Sequence, residues 1–180
     1  DLLSKIKTVD EYLTHFAGDL AEQLQKNISL RFDPLKDKHH PAFKDVNLTA
    51  NENGITGLFP PQADAVMGVA NTLKYDDYAF VVGEMGTGKT AIGLVSPYIS
   101  EAVARKDGQV KPFRTLVYCP SIMTEKWKRE IKERIPNVKV YEIKHWTDVL
   151  KLKEKPYRPE TIEYYVLNSD LPKFTYPMEP

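Results

Sequence analysis

The sequence predicts an α/β fold: a three-layer arrangement with a parallel sheet covered by helices on both faces, preceded by an N-terminal helical extension. Three observations predict it. Short apolar runs rich in aromatic and β-branched residues lie at 78–82, 115–119, 138–143 and 162–167, and helical segments separate them. A glycine-rich loop, Gly83-Glu84-Met85-Gly86-Thr87-Gly88-Lys89-Thr90, joins the first run to an apolar helical stretch. No internal repeat or low-complexity segment competes with this alternation, and strand–helix–strand order implies parallel pairing.

The elements follow in order. Thr8-Val9-Asp10-Glu11 is a capping box, and Tyr12, Leu13, Phe16, Leu20, Leu24 and Ile28 recur at helical spacing, so an amphipathic helix runs over about 8–27. Residues 31–53 carry Pro34, Pro41 and several lysines without a period and read as a loop holding at most one short strand. The His39-His40 pair has no partner at metal-ligand spacing and reads as surface loop. From Leu58-Phe59-Pro60-Pro61-Gln62 a helix opens, with Pro61 at its first position and Ala63, Val66, Met67, Ala70 and Leu73 on one face. After the glycine-rich loop a helix begins at Lys89; Pro97 is expected to kink it or end it near Val95. Asp107-Gly108 marks a stop, and the strand at 115–119 ends at Pro120-Ser121. A helix over about 122–134 follows, with Ser121 as N-cap and Trp127 and Ile131 inward. The strand at 138–143, one or two helical turns from His145, and the strand at 162–167 complete the series.

The loop at 83–90 is a full G-x-x-x-x-G-K-T, set between a strand and a helix as a phosphate loop requires. Three phosphates need a concave run of backbone N–H donors, and Gly83, Gly86 and Gly88 let the chain turn without a Cβ in the way. Lys89 is placed to reach the β- and γ-phosphates and Thr90 to hold Mg²⁺, while the helix opening at Lys89 turns its positive end to the same site. The expected ligand is ATP or GTP, bound by Gly83, Glu84, Met85, Gly86, Thr87, Gly88, Lys89 and Thr90.

Composition bounds the rest. A chain of 180 residues supports one sizeable core with an appendage, here 1–53 as extension and 54–180 as the α/β domain. Lys+Arg and Asp+Glu both number 25, so any basic surface for nucleic acid must be local. Cys119 is the single cysteine, which excludes an internal disulfide and fits a structural thiol in a reducing cytosol. No apolar run reaches 18 residues and no leader opens the chain, so a cytoplasmic location is expected, nuclear in a eukaryote, with no membrane partner. A start at Asp1 and an end at Pro180 read as fragment boundaries.

The phosphate loop, Gln62 in Leu-Phe-Pro-Pro-Gln upstream, and Leu116-Val117-Tyr118-Cys119-Pro120-Ser121 with Trp127 and Glu130 downstream resemble the first RecA-like domain of superfamily 2 helicases and DNA translocases, Swi/Snf-like or DEAD/DEAH-type. The resemblance covers about 55–143. It implies a P-loop NTPase fold with ATP and Mg²⁺ as cofactors, Lys89 and Thr90 as catalytic residues, Gln62 reading adenine, and Pro120 and Ser121 touching a nucleic-acid backbone. The chemistry fits: the Gln62 amide offers a donor and an acceptor together, as the N6 and N7 edge of adenine requires. Phe59 is either a base-stacking ring or a core residue. Ser121 is either a simple helix cap or a phosphate contact. The charges at Glu125, Lys126, Lys128, Arg129, Glu130, Lys132, Glu133 and Arg134 read as a solvated face of paired residues, Glu125 with Arg129 and Glu130 with Arg134.

The sequence also departs from that family. An Asp-Glu pair should follow the loop at a strand end, to bind Mg²⁺ through water and activate the attacking water; the sole Asp-Glu dipeptide, Asp10-Glu11, precedes the loop inside a helix cap. No second RecA-like domain supplies arginine fingers, which are worth about 10³ to 10⁵ in rate, so this piece alone is expected to hydrolyse ATP feebly. The leading expectation is the ATP-binding N-terminal part of an ATP-dependent DNA helicase or translocase. The alternative is a nucleotide-binding regulatory or assembly module without motor activity; a small kinase ranks last, since the arginines do not cluster as a lid.

Overall fold

The structure, a computed structural model, describes residues 7–27, 30–46, 57–155 and 158–170. The chain divides into two compact units, Asp1–Arg31 and Phe32–Pro180. The first holds helix α1 (Val9–Asn27), which begins as its capping residues dictate. The Glu11 N–H donates to Thr8 Oγ1 at 3.2 Å, and the Glu11 carboxylate accepts from the Lys7 N–H at 2.8 Å, one residue before the donor a capping box uses. Tyr12 and Phe16, one turn apart, meet at 4.8 Å between ring centroids. The side chains of Leu13, Leu20 and Leu24, and Ile28 entirely, lie outside the described residues.

In the second unit the segment from Phe32 is a series of turns with a helical turn at 43–46, and its described part contains no strand. Phe32, Phe43 and Val46 are nevertheless buried in the main core. His39 is a structural residue: its ring hydrogen-bonds Asp64 Oδ1 at 2.7 Å and stacks on Phe32. Among the described residues no group of three His, Cys, Asp or Glu could hold a metal.

Helix α2 (Pro60–Leu73) starts one residue before the expected position and buries Ala63, Val66, Met67 and Ala70, but leaves Leu73 exposed. Helix α3 (Lys89–Val103) begins where the sequence places it and does not stop at Pro97. The missing N–H of Pro97 frees the Gly93 carbonyl, but Gly93 is on the exposed side where water can satisfy it. Burial of Leu94, Val95, Tyr98, Ile99 and Ala102 on the opposite side outweighs the defect.

Strands β1 (Arg114–Cys119), β2 (Val138–Ile143) and β3 (Ile162–Asn168) form a parallel sheet in the order β1-β3-β2. Val117 pairs with Val166 and Tyr141 with Tyr165. The connections carry helices, as parallel strands require: α4 (Thr124–Arg134) after a 3₁₀ turn at Ser121–Met123, then α5 (Trp146–Lys153). Central β3 buries Glu163, Tyr164, Tyr165 and Val166 in succession, so it is covered on both faces, and the Tyr164 hydroxyl donates to the Leu94 carbonyl of α3 at 2.8 Å. Edge strand β1 alternates instead, with Val117 and Cys119 buried and Leu116 and Tyr118 exposed.

Two further expectations are corrected. Residues 78–82 join no ladder among the described residues; Phe80 is 85 % and Val82 95 % exposed. An apolar run becomes a strand only when a neighbour takes its N–H and C=O groups, and none of the described strands pairs with it. The helix expected from about 122 begins as the 3₁₀ turn, and Ser121 lies inside that turn and makes no side-chain cap.

Candidate nucleotide-binding site

The phosphate loop keeps the conformation its glycines allow. Gly86 has φ of 86° and Gly88 of 82°, left-handed backbone that L side chains rarely adopt, and Gly88 leads directly into the first turn of α3. Lys89 folds back over the loop: its ammonium donates to the Gly83 carbonyl at 2.9 Å and the Glu84 carbonyl at 2.6 Å. The Thr87 hydroxyl also donates to the Glu84 carbonyl, at 2.9 Å. The Lys89 ammonium thus ties the start of the loop to the start of the helix, the place from which it can turn to an anion.

Gln62 sits against this loop. Its Oε1 accepts from the Phe59 N–H at 3.1 Å, closing the N-terminus of α2, and its Nε2 donates to the Thr87 carbonyl at 3.0 Å. Contact is so close that a Cβ placed on Gly88 would lie 2.3 Å from Gln62 Nε2. Both ends of the amide are therefore engaged, and Gln62 braces α2 against the loop. Phe59 does not pack in the core; it is 58 % exposed.

These residues line one open cavity of about 410 Å³. Gly57, Phe59 and Gln62 meet Met85, Gly86, Gly88, Lys89, Thr90 and Ala91 around it, and Lys126, Glu130 and Arg134 of α4 form a further wall. Backbone donors at a helix N-terminus, a lysine and a hydroxyl are what a polyphosphate needs. For a bound Mg²⁺ the cavity offers the Thr90 hydroxyl, leaving the other positions to phosphate oxygens and water, as that ion prefers.

The α4 residues were not legible as site residues. The sequence reads them as a solvated face; of its two expected pairs Glu130 with Arg134 forms, at 3.7 Å, but both side chains are largely buried, while Lys126 also meets Glu130 and Arg129 meets Glu133, each at 3.8 Å. Glu125 pairs with Lys128 rather than Arg129, because Lys128 also reaches Glu142 Oε2 on β2, at 2.6 Å. Lys126, Glu130 and Arg134 recur at a period of four and share one face, but Glu125, Arg129 and Glu133 do the same, so spacing alone does not separate the cavity stripe from its neighbours. Pro120 and Ser121 are exposed at the end of β1 and do not line this cavity. Cys119 beside them is buried, which pushes its thiol up, as suits a packing residue.

Comparison of the chain with protein-family models, with curated proteins and with solved structures finds no match.

Proposed function

We propose that this chain binds ATP with Mg²⁺ and serves as the nucleotide-binding part of an ATP-dependent motor of the RecA-like helicase or translocase class, acting on nucleic acid, DNA before RNA. The observation that carries the reading is the cavity in which a full phosphate loop, opening helix α3, faces Gln62 and Phe59. Gly83, Glu84, Met85, Gly86, Thr87 and Gly88 wrap the phosphates through backbone N–H groups, Lys89 leaves the Gly83 and Glu84 carbonyls for the β- and γ-phosphates, and Thr90 coordinates Mg²⁺.

The Gln62 amide serves the base if its bond to the Thr87 carbonyl is exchanged for one to adenine, which couples base recognition to the loop. Pro120 and Ser121, free of the cavity, remain the place for a strand contact, with the Ser121 N–H and hydroxyl as donors, since Pro120 has no N–H. Hydrolysis needs an acidic pair at a strand end after the loop, and arginine fingers supplied by a second RecA-like domain.

ATP turnover by the intact protein tests the motor reading, measured with and without duplex DNA and beside Lys89→Ala. Turnover that DNA stimulates and the substitution abolishes supports it; turnover indifferent to Lys89 overturns it. The second reading is a nucleotide-binding regulatory or assembly module without motor activity, for which ATP would bind but DNA would leave turnover unchanged.

A further inference from the structure

The α4 stripe has an unusual electrostatic arrangement. Lys126, Glu130 and Arg134 span two helical turns, about 12 Å, along the cavity wall. Glu130 stands between the two cations and satisfies neither: Lys126 Nζ is 3.8 Å from its Oε1 and Arg134 Nε is 3.7 Å from its Oε2, both beyond hydrogen-bond reach. The Arg134 Nε–H is buried without an acceptor, and its side chain is only 16 % exposed. An ordinary helix pair on the same element, Arg129 with Glu133, leaves its arginine 67 % exposed, where water completes the donors. Buried donors are normally paired, so an orphan at a cavity wall points to an acceptor that arrives with a ligand.

Resting on the nucleotide-binding reading above, we propose that Arg134 is a binding residue for the phosphates of a nucleoside di- or triphosphate. Glu130 is its positioning residue, holding the guanidinium loosely when no anion is present. A guanidinium presents a planar fork of donors that matches phosphate oxygens two at a time, and phosphate outcompetes a carboxylate held at 3.7 Å. The charge of the cavity agrees. Three lining cations, Lys89, Lys126 and Arg134, against the one carboxylate of Glu130 leave two positive charges in excess, which suits the roughly two negative charges of a magnesium-bound nucleoside triphosphate. The α4 wall thus meets the phosphates together with the loop.

Calorimetric titration with MgATP and with adenosine, over a range of salt, tests this on wild type, Lys89→Ala, Arg134→Gln and Glu130→Gln. Arg134→Gln is expected to weaken MgATP binding about tenfold and to flatten its salt dependence, with the melting temperature recorded as a control on folding. Glu130→Gln frees the guanidinium and removes a negative charge, so it is expected to tighten binding severalfold. Opposite signs from the two halves of one ion pair cannot come from loss of a structural contact. Wild-type affinity in Arg134→Gln while Lys89→Ala loses binding overturns the role of Arg134 and leaves the nucleotide site standing. If Arg134→Gln does not fold, Glu130→Gln decides: affinity equal to or weaker than wild type overturns the proposal. Failure of wild type to bind MgATP, or full binding by Lys89→Ala, overturns the nucleotide reading itself.

Discussion

Gly88 carries the tightest constraint in the loop, for two independent reasons. Its φ of 82° is strained for any L side chain, and a Cβ would collide with Gln62 Nε2 at 2.3 Å. Gly86 shares the first reason and not the second, since nothing stands within 4 Å of its position. Gly86→Ala should therefore cost only backbone strain, about 1 kcal/mol, whereas Gly88→Ala should also push the Gln62 amide out of its place beside the loop, from which it would turn to the base. Nucleotide titration of the two variants checks this: Gly88→Ala should bind at least tenfold more weakly than Gly86→Ala, and equal affinities would show that the Gln62 brace is idle. At this scale the loop was legible because its residue types are dictated one by one. The α4 trio was not, because a Glu130–Arg134 pair at i, i+4 looks the same in sequence whether it faces water or a cavity. The fate of the Gln62 amide, committed to the Phe59 N–H and the Thr87 carbonyl, depends on a contact 25 residues away in sequence and was equally hidden.

Among the elements, helix α3 and the sheet make separate predictions. Pro97 forfeits one hydrogen bond within a helix that its buried face keeps intact, and an interior proline costs roughly 3 kcal/mol against alanine. Pro97→Ala should raise the melting temperature, offset in part by the freer unfolded chain; a fall would mean that the packing of Tyr98 and Ile99 depends on the proline ring. In the sheet, burial pushes the Glu163 carboxyl up, but the Tyr165 hydroxyl at 2.7 Å and the Arg114 guanidinium at 2.9 Å outweigh it and hold it below the usual 4.5. Hydrogen bonding from Lys128 likewise holds Glu142 down. A carboxylate lowered in the folded state stabilises fully above its unfolded value and loses that stability as pH falls through the folded one. Thermal stability should thus decline below about pH 4.5, and Glu163→Gln should be less stable at neutral pH with a shallower acid decline; an unchanged acid slope would remove Glu163 from the account.

The order of α/β elements in the molecule follows from hydrophobic pattern and turn chemistry, and β1, β2, β3, α2 and the start of α3 lie where those signals put them. What the pattern could not supply is partnership. Residues 78–82 have strand composition yet no neighbour in the described structure, and β1 keeps a bare face at Leu116 and Tyr118 although β3 is covered on both sides. A run of residues fixes its own propensity; pairing and burial belong to whatever lies beside it. The central claim is that the cavity at the loop takes a magnesium-bound adenine nucleotide. Equilibrium titration of the chain with MgATP, beside Lys89→Ala, tests it most directly. Loss of a charge-assisted phosphate contact worth about 1.5 to 3 kcal/mol predicts saturable wild-type binding weakened some ten- to a hundredfold in the variant. Absence of saturable binding, or the same affinity in both proteins, would contradict it.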